Sequence, residues 1–304
     1  MLIRRAKHSF RRVYARVSQP RIVFQERIVT THDENRCENP IFLIGLHRSG
    51  TSLMRRVFNS HPEIACPPET FFLEHYARML RDPMVLAGYR SFGHDAESMR
   101  RDLVAKASQL HEGFRKTHGK RRWADKTPQY VSILEELNAM FGPQAQFVMI
   151  YRNPLDVAHS VISRGWDLSG AGEEADPANQ FEATLAHMAR MYDKQMTFEA
   201  EHPELCVRAY YEEVVARPEE VMADIMAGLG EKFHPLMLRH HEVSHNFGTE
   251  DPMVRGLKGF QASHGNWTSW NSGQISRATE ILGPFAKRLG YSLDKKLAAK
   301  GGRL

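Results

Sequence analysis

The feature that most constrains this chain is a short apolar run that leads into a glycine-rich loop and then into an amphipathic helix. The run is PIFLIG at residues 40–45, the loop continues to Ser52, and apolar residues recur at helical spacing from Leu53 to Phe58. Short continuous apolar runs are typical of strands buried within a parallel sheet. The segment therefore predicts a strand, a loop and a helix whose N-terminus and backbone N–H groups face an anion.

The loop at residues 45–52, GLHRSGTS, has the spacing of the phosphate-binding pattern GxxxxG[KT][ST]. Thr51 stands where lysine is usual, and Arg48 supplies a cation within the same loop. An ordinary strand-to-helix turn is the alternative. Its position directly after a buried strand favours the phosphate-binding interpretation.

Three further runs carry the strand signal: RRWAD at 121–125, QFVMIY at 146–151 and LCVRAY at 205–210. Helical periodicity lies between them, as in SILEELNAMF at 132–141. Strands that alternate with helices predict βαβ units. We therefore expect an α/β protein with a three-layer P-loop-type fold, in which a central parallel sheet is flanked by helices. Right-handed crossovers then bring the loops after the strands to one edge of the sheet.

Positive charge is concentrated at the start of the chain, where residues 1–30 contain eight Arg and Lys side chains against Glu26, whereas the whole chain carries +5. Because the rest of the chain is nearly neutral, we expect no nucleic-acid partner. Apolar residues from Ile3 to Val17 recur at spacings of 3 and 4, which predicts a basic amphipathic helix. Three partners stay open for it: a membrane surface, contacted peripherally, a second subunit in a homodimer, or its own domain.

Cysteine usage and hydropathy bear on compartment and organisation. The three cysteines are odd in number and lack metal-ligand spacing, which is typical of reduced thiols. The chain has no run of about 18 uncharged apolar residues and no apolar signal core. We expect a cytoplasmic protein and leave open a peripheral contact of its N-terminal helix with a membrane. Its expected organisation is an extension at 1–30, one domain at 38–292 and a basic tail at 293–304.

The strand at 146–151 ends in Arg152, whereas a kinase or ATPase holds magnesium with a carboxylate near such a strand end. A guanidinium in this position suits bidentate contact with a phosphate. Ser160 follows eight residues later and adds a hydroxyl from the next helix, while Asp156 is expected to cap that helix. The predicted site therefore binds anions without a metal.

These residues resemble the PAPS-dependent sulfotransferase superfamily, whose donor is 3′-phosphoadenosine 5′-phosphosulfate (PAPS). HRSGTSLMRRVFNSHPEIACPPET at 47–70 is similar to the protein-tyrosine sulfotransferase branch and its bacterial relatives, and similarity resumes at ADKTP (124–128) and YRNPLDVAHSVISR (151–164). The similarity extends over about residues 40–291. It implies sulfuryl transfer from PAPS to a hydroxyl-bearing acceptor, with 3′-phosphoadenosine 5′-phosphate (PAP) as the product and no metal.

The resemblance also implies which residues bind the donor. Those implied around the 5′-phosphosulfate are Arg48, Ser49, Gly50, Thr51 and Ser52. Arg152 and Ser160 would bind the 3′-phosphate, and Tyr211 matches a tyrosine that lies near the adenine in relatives. Lys258 and Gly259 resemble a K-G pair that closes over the 3′-phosphate.

For the transfer step, the resemblance implies three catalytic residues. Glu69 matches a glutamate of a C-x-E-E-T segment and would be the general base. Lys126 would contact the sulfuryl or bridging oxygen, with Arg48 as a second cation. Cytosolic sulfotransferases of small phenols and steroids instead carry a histidine soon after the lysine, where this chain has Pro128. The alternative for Glu69 is a carboxylate that stabilises the start of the following helix. The alternative for Lys126 is a solvated surface lysine.

Two other function classes are compatible with a phosphate-binding loop. A P-loop kinase is disfavoured by Thr51 and Arg152, and a catalytically idle nucleotide-binding scaffold by the retained Glu69 and Lys126. The acceptor stays open among phenol, peptidyl tyrosine, carbohydrate and other alcohols, since fold does not dictate substrate. Also open is whether Arg255 replaces an arginine that many relatives carry before Lys258.

Other conspicuous side chains receive simpler interpretations. His47 replaces a proline common in relatives and is expected to hydrogen-bond within the loop. The tryptophans are expected mainly in the core, with an aromatic acceptor pocket as the alternative. The basic cluster at 115–122 is expected in a solvated loop, with contact to an acidic acceptor as the alternative. Long loops are expected at 166–180 and 245–270, as lids or acceptor walls, with a mobile surface loop as the alternative for the first.

Overall fold

The structure is a computed structural model that describes residues 37–166, 177–245, 256 and 258–298. The helix predicted at 1–30 and Arg255 lie outside the described residues. So do most of the first long loop, at 167–176, and the end of the basic tail, at 299–304.

Five parallel strands form the central sheet, and their order is β2-β3-β1-β4-β5. They are β1 (Ile41–Ile44), β2 (Ile64–Ala65), β3 (Arg122–Asp125), β4 (Gln146–Tyr151) and β5 (Cys206–Tyr210). Four of them confirm the predicted runs. The fifth, β2, was missed because two residues are too few to show a period. β1 lies at the centre, where Ile41 pairs with Ala124 on one side and Gln146 on the other.

Helices occupy most of the remaining described chain. They are α1 (Thr51–Asn59), α2 (Leu73–Arg81), α3 (Pro83–Ser91), α4 (Ala96–Thr117), α5 (Leu134–Phe141), α6 (Pro154–Ile162), α7 (Pro177–Glu201), α8 (Tyr211–Ala216), α9 (Pro218–Gly228), α10 (Ser272–Arg288) and α11 (Lys295–Ala298). The helix predicted at 132–141 begins later, because Pro128–Ile133 forms a 3-10 helix. Within the described ranges, no helix combines the length and apolar character needed to cross a membrane.

Each face of the sheet carries its own apolar core. Along β1, Phe42 and Ile44 join the core formed with α4, α5, α6, α7 and α10. Ile41 and Leu43 face the opposite core, formed with α1 and α9. This alternation is the period of two expected of a strand buried on both faces. The expected three-layer α/β fold is therefore confirmed.

The basic cluster at 115–122 is not a solvated loop throughout. Arg122, the first residue of β3, is 1% exposed. It donates hydrogen bonds to Asn39 O at 2.9 Å, Leu229 O at 3.1 Å and Glu231 at 3.0 Å. Burial of a guanidinium requires such partners, so Arg122 joins chain segments at the amino edge of the sheet.

Candidate functional site

The loop at 45–52 connects β1 to α1 and turns sharply. Arg48 and Gly50 both have positive φ angles, of 70° and 91°. Ser49 closes the turn, with its N–H 3.1 Å from Leu46 O and its hydroxyl donating to the same oxygen. Gly50 is the residue before α1, whose first turn has neither a side-chain cap nor an acidic residue. The N–H groups of this turn are therefore available to an anion.

Two glycines of the loop are required by close neighbours. A Cβ atom at Gly45 would lie 2.8 Å from Ile150 O of β4. At Gly50 it would lie 2.5 Å from Cδ2 of Tyr211. The loop consequently packs directly against the ends of β4 and β5, and side chains larger than hydrogen are excluded at both positions.

A cavity of about 380 Å³ opens above this loop. The predicted residues that line it are Arg48, Gly50, Thr51, Ser52, Arg152, Ser160 and Tyr211. Further lining comes from residues that were not predicted, chiefly Arg164 and the segment at 261–263. Residues that follow β1, β4 and β5 thus meet the segment at 261–263 at one edge of the sheet.

Arg152 is held rigidly beside this cavity and is 5% exposed. Its Nη1 donates to Arg48 O at 2.7 Å and its Nη2 to Ser263 O at 2.5 Å. The guanidinium stacks 4.7 Å from the ring of Tyr211. Its Nε is buried and has no hydrogen-bond partner within the described part of the chain. A fixed guanidinium with an unpartnered donor is suited to an anionic oxygen.

Two more guanidinium groups converge on Ser160. Its hydroxyl accepts from Arg48 Nε at 3.2 Å and from Arg164 Nη1 at 2.9 Å. Arg164 lies one helical turn beyond Ser160, within the sequence match at 151–164, and this spacing was the available signal for it. Arg48, Arg152 and Arg164 make this cavity strongly positive.

Asp156 was expected to cap α6, and this prediction was wrong. Asn153 caps this helix, because its side chain accepts from Leu155 N at 3.0 Å. The buried carboxylate of Asp156 instead accepts from the N–H groups of Gly265 at 2.8 Å and Asn266 at 2.7 Å. It therefore anchors the loop that carries residues 261–263 to the cavity.

Lys258 and Gly259 lie just before that segment. The Lys258 side chain is exposed, and neither residue is among those that line the cavity. Residues 261–263 occupy this wall instead, where Gln261 O accepts from the Tyr211 hydroxyl at 2.9 Å. The predicted closing role of Lys258 and Gly259 stays a prediction.

Glu69 and Lys126 meet beside the loop. Lys126 Nζ donates to a carboxylate oxygen of Glu69 and lies 3.5 Å from Ser52 Oγ. The Lys126 side chain is 3% exposed and that of Glu69 is 28% exposed. Lys126 is therefore not a solvated lysine, and one ammonium group connects the carboxylate to the phosphate loop.

A buried carboxylate holds this pair in place. Asp125, next to Lys126, accepts from the hydroxyl of Thr70, next to Glu69, at 2.5 Å. The same oxygen lies 2.7 Å from Nε2 of His111. Asp125 and His111 are each 1% exposed. The hydrogen bond between Thr70 and Asp125 thus joins the two segments, at the residues next to Glu69 and Lys126.

His47 is half-buried and interacts electrostatically with Glu69 and Lys126. Burial lowers its pKa to about 4, with a further lowering by Lys126 and an opposing effect of Glu69. Its ring contacts Trp166 edge to face, with centroids 5.9 Å apart. Trp166 is 38% exposed, whereas Trp123 and Trp267 are core residues at 1% exposure. At neutral pH the imidazole of His47 is therefore uncharged.

Fold and site together define an α/β protein in which a phosphate-binding type of loop and three arginines meet at the carboxyl edge of a parallel sheet. The pattern of the sulfotransferase family matches residues 40–235. The chain belongs to the sulfotransferase family, which confirms the resemblance found in its motifs.

Similarity to individual proteins extends over most of the chain. Protein-tyrosine sulfotransferase 1 of Danio rerio is 24% identical over 276 residues, covering 83% of this chain and 72% of the relative. Protein-tyrosine sulfotransferase 2 of Gallus gallus is 25% identical over 275 residues, covering 83% and 69%. Among solved structures, a sulfotransferase domain from the curacin biosynthetic pathway superposes with a TM-score of 0.61 at 20% identity, covering 85% of this chain and all of that domain. This last likeness concerns the fold alone.

Proposed function

We propose that this protein transfers a sulfuryl group from PAPS to the hydroxyl group of an acceptor, without a metal. The observation that carries the proposal is the meeting of Lys126 and Glu69 with the phosphate loop, beside a cavity lined by arginines. The loop supplies N–H groups for a phosphosulfate, and the lysine and glutamate supply the two groups that a transfer step needs.

The donor would lie in the cavity with its 5′-phosphosulfate against the loop and Arg48. Its 3′-phosphate would be bound by Arg152 and Ser160, with Arg164 as an additional cation. Tyr211, whose ring stacks on Arg152, would lie near the adenine. Guanidinium groups neutralise phosphate charge here, at the strand end where a kinase would need a carboxylate for magnesium.

In the transfer, the acceptor oxygen forms a bond to sulfur as the bond from sulfur to the bridging oxygen of the donor breaks. PAP leaves with the electron pair of that bond. Glu69 would take the hydroxyl proton, and Lys126 would stabilise the charge that develops on the bridging oxygen. The ion pair between them supports this division of roles, because the base and the cation already lie within contact distance.

Calorimetry of PAP binding in the absence of metal tests the donor site. We expect PAP to bind in preference to ATP, and Arg152→Lys to weaken binding about tenfold, or about 1.4 kcal/mol, because lysine cannot reproduce the bidentate geometry. Arg277→Lys is the control, since Arg277 lies on α10 and pairs with Glu182 and Glu280 at the surface. Absence of PAP binding, or ATP binding only with magnesium, would contradict the proposal.

Turnover separates an enzyme from an idle nucleotide-binding protein of the same fold. Glu69→Gln should bind PAP with unchanged affinity but lose PAPS-dependent transfer to a hydroxyl acceptor, because an amide cannot accept the proton. A wild-type protein that binds PAP and transfers sulfuryl groups to no class of hydroxyl acceptor would instead support the idle scaffold.

A further inference from the structure

A second cavity, of about 330 Å³, begins at the same loop. Leu46 and His47 line it, whereas Arg48 and the residues after Gly50 line the donor cavity. The two cavities thus share one loop and use different residues of it. In-line transfer requires the acceptor to approach sulfur from the side away from the leaving phosphate, and a neighbouring cavity permits that approach.

The second cavity also adjoins the segments that carry the catalytic pair. Pro128, which lines it, lies two residues after Lys126, and Glu74 on its rim lies five residues after Glu69. His47 interacts electrostatically with both Glu69 and Lys126. A hydroxyl group at this end of the cavity would therefore lie near the proposed base.

The floor of the second cavity is apolar. Val157 and Val161 of α6 and Met188 of α7 are fully buried there, and Met191 of α7 is partly buried beside them. Such a floor with a few polar groups at its rim is typical of sites for small molecules. Methionine side chains add adaptability to the shape of the ligand.

The polar side chains on the wall are few, and they include His47, Glu74, Gln129 and His187. His47 is neutral near pH 7, because burial lowers its pKa to about 4, so it supplies no cation for an anionic acceptor. Glu74 contributes a carboxylate, which forms an ion pair with Arg78 of the same helix, α2. An ionised ligand would lose hydration without gaining a counter-charge on the apolar floor.

We propose that this second cavity is the acceptor site and takes a small, uncharged compound with an apolar body and one hydroxyl group, such as a phenol or an apolar alcohol. The inference rests on the proposed function and narrows its acceptor class. A volume of about 330 Å³ lies near the lower end of small-molecule sites. The apolar body would contact Val157, Val161 and Met188, with the hydroxyl directed towards Glu69.

The test measures sulfation of 2-naphthol by the full chain with PAPS, with a tyrosine-containing acidic peptide and N-acetylglucosamine as competing acceptor classes. Met191→Trp places an indole ring in the cavity from a partly exposed position. It should raise the KM for 2-naphthol by about tenfold or more, while PAP affinity stays unchanged. Met79→Trp is the matched control, since Met79 is a helical methionine, 38% exposed, outside this cavity.

A second variant keeps the test informative if the first variant fails to fold. Ser132→Phe fills the cavity from the 3-10 helix before α5, and PAP binding by each variant reports that the domain is folded. Equal KM values for 2-naphthol in Met191→Trp, Ser132→Phe and Met79→Trp would overturn the assignment, as would transfer to the peptide or the sugar but not to 2-naphthol. Those outcomes leave PAP binding intact, whereas a wild-type protein that fails to bind PAP would refute the proposed function itself.

Discussion

Gly50 is required both by its backbone conformation and by its neighbour. Its φ of 91° is unfavourable for any side chain, and an added Cβ would lie 2.5 Å from the ring of Tyr211. We expect Gly50→Ala to weaken PAP binding by about tenfold or more, because Tyr211 and the loop must move apart. Calorimetry measures this change.

Gly93→Ala provides the control, because Gly93 has a φ of 83° but open space around its Cβ position. Each variant should lose about 1 kcal/mol of unfolding free energy from backbone strain. Equal PAP affinities in the two variants would contradict the argument from contact with Tyr211.

His47 should make stability depend on acidity. Because burial lowers its folded-state pKa from 6.5 to about 4, the unfolded chain binds a proton between these pH values that the folded chain does not. The free energy of unfolding should therefore fall by about 2 kcal/mol more between pH 7 and pH 5 in the wild type than in His47→Asn. Urea unfolding at both pH values measures the difference. His75→Asn, at an exposed position of α2, should retain the wild-type dependence; identical pH dependence in His47→Asn would refute the prediction.

Among the elements, the segment between β2 and α2 depends on the end of β3 for its position. The Thr70 hydroxyl contacts Asp125 at 2.5 Å and Tyr130 OH at 2.8 Å. Thr70→Val keeps the shape but leaves the buried Asp125 without one donor, so we expect a loss of about 1–3 kcal/mol in stability. We also expect kcat to fall about tenfold through misplacement of Glu69, with PAP affinity unchanged.

Steady-state kinetics and PAP calorimetry together check this prediction. Thr117→Val is the control, because the Thr117 hydroxyl is exposed and bonds only to Gly113 O of its own helix. A Thr70→Val enzyme with wild-type kcat would show that Asp125 does not position the pair.

The loop before α10 depends in turn on α6. Asp156→Asn replaces an acceptor with a donor facing the N–H groups of Gly265 and Asn266. We expect faster hydrogen exchange at these amides and weaker PAP binding, because Ser263 and Gln261 would lose their support. Asp82→Asn is the control, since Asp82 caps α3 and asparagine caps equally well. Unchanged exchange in Asp156→Asn would argue against the anchoring role.

At the scale of the whole molecule, the buried ion pair of Arg122 and the proposed donor cavity lie at opposite edges of the sheet. Arg122 at the amino edge is buried and pairs with Glu231, so Arg122→Ala should lower the free energy of unfolding by about 3–5 kcal/mol. PAP affinity of the folded protein should be retained, because the donor cavity lies at the carboxyl edge. Urea unfolding and calorimetry test both statements, with the exposed Arg217, paired to Glu220, as the alanine control. Lost PAP affinity without lost stability would contradict this separation.

Sequence was informative wherever structure and function depend on neighbouring residues. The apolar runs of β1 and β4 predicted buried parallel strands. The pattern at 45–52 predicted the candidate anion-binding loop, because its strand, turn and helix N-terminus are consecutive in the sequence. The family motifs located Glu69 and Lys126. The short strand β2 and the start of α5 were missed or misplaced, because two residues carry no period and Pro128 begins a 3-10 helix instead.

The remaining features depend on residues that meet only in the folded chain. Ser263 lies 111 positions from Arg152, and Gly265 lies 109 positions from Asp156, so no local pattern connects either pair. Arg122 resembles a surface charge in the sequence until its partner Glu231, 109 positions away, is placed beside it. The apolar second cavity likewise combines α6, α7 and the loop after β1. The local order of residues along the chain was therefore sufficient to predict the fold class and the candidate phosphate loop. Long-range packing decided the wall of the proposed acceptor cavity, because that wall joins segments that no periodic pattern connects.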